Sequence, residues 1–115
     1  MVSVLYVHWD EEEAAERAKK IRTANFSIRV HWQTGVEPKV RAESMPVALV
    51  ISLDRLPSHG HSVAEWFWGP KSRQGLPIVF SGGSADRVEA TRALFRGATF
   101  CSTGEEATAL RRIFR

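Results

Sequence analysis

Along this chain, short apolar runs alternate with segments of helical period. Residues 2–7 (VSVLYV) form a β-branched run suited to a buried strand. A helix is predicted from Glu11 to Thr23, with Asp10 to Glu13 at its start and Lys19, Lys20 and Arg22 in its last turn. That order complements the helix dipole. Ala14, Ala18 and Ile21, with Ala15 beside them, give it a narrow stripe for packing on a sheet. Residues 26–32 (FSIRVHW) alternate, placing Phe26, Ile28, Val30 and Trp32 on one face, as at a sheet edge. Residues 33–46 carry Gly35 and Pro38 and only a weakly patterned short helix over 38–45. The run VALVISL (47–53) is apolar on both faces until Ser52, as a central parallel strand should be.

After that strand, Leu56 to Gly60 is expected to turn. Ser62 with Glu65 forms a capping box for a helix ending at Trp68, before Gly69-Pro70. A fourth strand, LPIVF (76–80), leads through Ser81-Gly82-Gly83-Ser84 into a helix over 85–96. That helix turns Val88, Thr91, Leu94 and Phe95 inward and stops at Gly97. A short strand ATFC (98–101) precedes a last helix, capped by Thr103 with Glu106, whose apolar side is Ala107, Leu110, Ile113 and Phe114.

Five strands alternating with helices through short loops predict an α/β fold of three layers, with a parallel sheet covered on both faces. The flavodoxin-like strand order 2-1-3-4-5 suits this length. It places 26–32 at an edge and 47–53 in the centre. In such a sheet, ligands bind at the carboxyl ends of the strands, beside the reversal of strand order. The residues there are His8, Trp9 and Asp10; Ser52, Leu53 and Asp54; Ser81 and Gly82; and Ser102 and Thr103.

Composition narrows the class without naming a function. The 115 residues are 43% hydrophobic and 25% charged, which suits one globular domain spanning 1–115 and argues against disorder. One cysteine, Cys101, cannot close a disulfide within the chain. No apolar run approaches the ~20 residues of a membrane span, and the acidic start does not resemble a signal peptide. A cytoplasmic location is therefore expected. The net charge of +3 is spread too thinly to predict a nucleic-acid partner.

The predicted site positions also carry a resemblance. The segments VSVLYVHWDEEEAAERAKKIR, VALVISLDRLPSHG, LPIVFSGG and RGATFCSTGEEATALRRIF resemble a response-regulator receiver domain over nearly the whole chain. The shared features are an acidic cluster after the first strand, Leu56-Pro57 after the third, and Ser81 after the fourth. The resemblance implies a phosphoryl-transfer site with a carboxylate pair for Mg²⁺, an acceptor aspartate and a lysine. Here the pair position holds His8-Trp9. The acceptor position, four residues before Pro57, holds Leu53, with Asp54 one residue later. Ser102, Thr103 and Gly104 stand where the lysine is expected. This pattern implies a degenerate, pseudo-receiver domain with no effector domain on the chain. It is expected to be no enzyme, to need no cofactor, and to act through a protein partner or homodimer.

The alternative within that resemblance is a working receiver with Asp54 as phospho-acceptor and Asp10 helping to hold Mg²⁺. A third reading is an anion- or nucleotide-binding turn at Ser81–Ser84, although no lysine follows at P-loop spacing. His59 and His61 are expected as loop histidines, because a structural zinc site needs four ligands. A Ser-His-Asp triad has no nucleophile elbow to support it. Trp66, Phe67 and Trp68 are consecutive, so one helix face cannot bury all three. Val63, Ala64 and Phe67 fit the inward stripe, which leaves Trp66 and Trp68 as candidate interface anchors.

Overall fold

The computed structural model describes residues 2–8, 11–22, 26–31, 46–53, 57–69, 71 and 75–114. Five strands, β1 (Val2–Val7), β2 (Phe26–His31), β3 (Ala48–Ser52), β4 (Ile78–Ser81) and β5 (Thr99–Cys101), form one sheet. Their order is β2-β1-β3-β4-β5 and every pairing is parallel. Parallel neighbours need crossovers. The chain supplies them as α1 (Glu11–Arg22), α2 (Pro57–Trp68) and α3 (Ala85–Leu94), and α4 (Glu106–Ile113) follows β5. The expected α/β architecture and strand order are therefore present.

Strand periodicity divides the core between the two faces of the sheet. Val4 and Tyr6 of β1, Ala48 and Val50 of β3, and Val79 of β4 meet Ala18 and Ile21 of α1 and Leu110 of α4. Their neighbours Leu5, Val7, Leu49, Ile51, Ile78 and Phe80 meet Val63, Ala64 and Phe67 of α2, with Phe95 just past α3. All five residues of β3 are buried, which confirms it as the central strand. Each large side chain withdrawn in this way contributes about 1.5–3 kcal/mol relative to exposure. On α1 the stripe is narrower than expected, since Ala15 is exposed while Ala14, Ala18 and Ile21 are buried.

Three local expectations are corrected. Helix α2 begins at Pro57, so neither a turn over 56–60 nor a capping box at Ser62 starts it. Proline at a first helical position has a suitable φ, and its missing N–H would have had no partner there anyway. His59 and His61 are thus helical, not loop residues. Leu94 is 64% exposed, because the inward stripe of α3 passes through Val88, Thr91 and Phe95, leaving Leu94 roughly a quarter turn away. At α4 the N-cap is Glu105, and Thr103 does not cap the helix. Instead the Glu106 carboxylate accepts the Gly104 N–H at 3.1 and 3.0 Å, while Leu110, Ile113 and Phe114 of the expected apolar side do meet the core, joined by Ala109.

His61 fastens α2 to α3. The Thr91 hydroxyl donates to the Arg87 carbonyl at 2.8 Å, so His61 Nε2, 2.8 Å from that oxygen, is the donor. Burial pushes the His61 pKa below its ordinary 6.5, against an opposing pull from Glu65. The unfolded chain therefore takes up the proton first. The stabilisation is full above pH 6.5 and is lost as pH falls from there through the lowered folded pKa. The melting temperature of the wild type should accordingly fall more between about pH 7.5 and pH 5 than that of His61→Gln. Equal falls would show that His61 does not report on its burial.

Candidate functional site at the carboxyl ends of the strands

The register sets the site. Ser52 closes β3 directly beside Ser81 of β4, and Ser81 lies beside Cys101 of β5. Alternation from Val50 and Val79 puts both serine side chains on the α1/α4 face, where they are buried. On that face Arg17 of α1 reaches over the strand ends and donates to Ser52 Oγ at 3.4 Å. Its other terminal nitrogen is 3.6 Å from Glu13, one helical turn earlier. Glu13 Oε2 in turn lies 3.9 Å from Nε2 of His8. His8 follows β1, is wholly buried and stacks on Tyr6 with ring centroids 6.0 Å apart. The Ser81 hydroxyl is buried with no hydrogen-bond partner among the described residues.

Leu53, the residue after β3, turns the other way. Its side chain is wholly buried in the core shared with α2, and its N–H donates to the Ser81 carbonyl at 2.8 Å. Gly83 passes directly over it. A Cβ at Gly83 would stand 2.8 Å from the Leu53 Cβ, and Gly83 has φ +85°, a conformation that glycine adopts without strain. The next residue, Ser84, caps α3 by accepting the Arg87 N–H at 3.3 Å, as its position before the helix predicts. Gly82 gives its N–H to the Cys101 carbonyl at 3.0 Å. In the Ser81–Ser84 turn, that N–H and the Ser84 hydroxyl are thus already engaged within the protein.

Ser102 and Thr103 are exposed, and with Gly82, Gly83, Val88 and Phe100 they border a cleft of about 560 Å³. Of the expected site residues, the structure joins Ser52, Leu53, Ser81 and Gly82 directly. His8 enters through Glu13 and Arg17. Trp9, Asp10 and Asp54 lie outside the described residues.

Two site features escaped the sequence reading. Arg17 and Glu13 carried one signal, a charged pair four apart on a flank of the first helix. Arg87 carried none, yet its guanidinium reaches the Leu53 carbonyl at 3.2 Å.

The chemistry of these positions is specific. A hard divalent cation requires oxygen ligands. At these strand ends His8 and Leu53 present an imidazole and an isobutyl group, both buried. Neither supplies an oxygen. Among the described residues no group of three or more His, Cys, Asp or Glu side chains could hold a metal ion. Burial, with Glu106 and Glu105 nearby, pushes the Cys101 thiol up to about 12, which favours its protonated form near neutral pH.

No protein-family model matches the sequence, and no curated protein matches it. Solved structures do. A bacteriophytochrome response regulator, RtBRR, is similar at 13% identity and a TM-score of 0.70, over 99% of this chain and 76% of that one. The signal receiver domain of a histidine kinase from Syntrophus aciditrophicus matches at 12% identity and a TM-score of 0.66, covering 98% and 86% of the two chains. The chain has the receiver-domain fold. The non-phosphorylated HemR receiver domain from Leptospira biflexa agrees, at 19% identity and a TM-score of 0.58 over 98% and 90%. Among the described residues of this receiver-like chain, no helix is long and apolar enough to cross a membrane.

Proposed function

We propose that this chain is a single receiver-like signalling domain that has lost phosphoryl transfer and works through contacts with other proteins. The observation that carries the reading is Leu53. At the expected acceptor position stands a fully buried aliphatic side chain, pressed beneath Gly83. Buried His8, beside Glu13, supports it from the first strand. On this reading the domain is no enzyme, needs neither Mg²⁺ nor another cofactor, and serves in the cytoplasm. Its output passes to a protein partner or a second copy, with no nucleic acid or membrane involved. Asp54 as acceptor, with Asp10 and Mg²⁺, is the outcome that phosphorylation would reveal.

The contact surface is proposed at α2. Trp66 and Trp68 are both half-buried beside the inward Phe67. The Trp68 indole donates to the Leu76 carbonyl at 2.8 Å and packs on Phe95, which makes it a brace for the segment entering β4. Trp66 packs on Phe67 with ring centroids 6.3 Å apart, and its partly exposed indole is the proposed anchor. Trp66→Ala should keep the wild-type circular dichroism spectrum and lower the self-association or partner binding read by sedimentation velocity. Trp68→Ala should mainly lower the melting temperature. A Trp66→Ala protein that sediments and binds as the wild type does would remove α2 as the contact surface.

A further inference from the structure

Leu53, the residue after β3, is fastened at three points to the segment that runs from the end of β4 through the turn into α3. The Leu53 N–H donates to the Ser81 carbonyl at 2.8 Å, its carbonyl accepts from Arg87 Nη1 at 3.2 Å, and its side chain lies under Gly83. The backbone of Arg87 is held as well. Its N–H is taken by Ser84 Oγ, and its carbonyl by Thr91, whose hydroxyl meets His61 of α2. Arg87 therefore stands at the centre of a tie that runs from β3 through α3 to α2. Residues 34 and 30 apart in sequence are linked by it.

We propose that Arg87 is a clasp that fixes the β4–α3 turn over Leu53 in one arrangement. Two features of the geometry require a fastening there. The turn contains Gly82 and Gly83, both at positive φ, so its backbone has more alternative conformations than any other residues would allow. The Leu53 carbonyl also lies just past the last residue of β3, and a guanidinium is a rigid, permanently charged donor for it. The clasp deepens the reading of a domain that needs no phosphoryl trigger, and rests on that reading for its purpose. The fastening itself is tested separately.

Native-state hydrogen exchange, resolved by residue, tests it in three variants. Arg87→Met keeps the aliphatic stem and removes the donor, Arg87→Ala removes both, and Ser84→Ala removes only the helix cap. In both Arg87 variants the Leu53 and Val88 amides should exchange on the order of tenfold faster, while Val50 and Val79 keep their wild-type protection. Ser84→Ala should speed the Arg87 and Val88 amides and leave Leu53 unchanged. The clasp is overturned if the Leu53 amide is unaffected in Arg87→Met, or if every amide speeds up equally. Phosphorylation of the wild type would sink the functional reading while leaving the exchange result standing.

Discussion

Truncating Ile51 or Leu49 to alanine should each cost about 2–5 kcal/mol of folding stability. Both side chains are fully buried on the α2/α3 face of β3, the strand at the middle of the sheet. Leu49 pairs in register with Ile78 and Leu5, and Ile51 with Phe80 and Val7, so sheet neighbours on both sides would border the void. Such surroundings collapse little, and the cavity adds to the lost burial. Domains of this kind hold only about 5–15 kcal/mol in all. Urea denaturation would measure the loss. A value under about 1 kcal/mol at both positions would be too small for a central strand.

Gly83→Ala should be of similar severity, for a different reason. At φ +85° an alanine is strained, by about 1–3 kcal/mol. Its Cβ would also fall 2.8 Å from the Cβ and 3.3 Å from the carbonyl oxygen of Leu53, neither of which is the mobile end of a side chain. Overpacking of this sort adds about 1–3 kcal/mol. Gly97 provides the comparison. It has φ +95° and open space within 4 Å of where an alanine Cβ would stand, so Gly97→Ala bears the conformational strain alone. The difference between the two urea midpoints isolates the pressure of the turn on Leu53. Equal losses would mean that the turn does not bear on that residue.

Strand order was legible because each strand announces itself by period and burial. VALVISL has apolar residues on both faces, and FSIRVH alternates; these became the central strand and an edge. The start of α2 was not legible, since Pro57 serves a turn and a first helical position equally well. The outward turn of Leu94 depended on α3 ending there, with Phe95 folding back into the core. At the site, Ser52 and Ser81 could be placed because strand ends in a parallel sheet align by register. Arg17 and Arg87 could not. Their partners lie 35 and 34 residues away, and long flexible side chains reach such targets only once the fold exists. The burial of His8 is likewise a tertiary fact, created by Tyr6 beneath it and Glu13 from the helix beside it.

The central claim is that the buried Leu53 has replaced a phosphoryl acceptor. Incubating the protein with Mg²⁺ and acetyl phosphate, then recording the intact mass, addresses it most directly. The mass should be unchanged. A gain of one phosphoryl group that disappears in Asp54→Asn would contradict the account and make this a working receiver with its acceptor one residue further along.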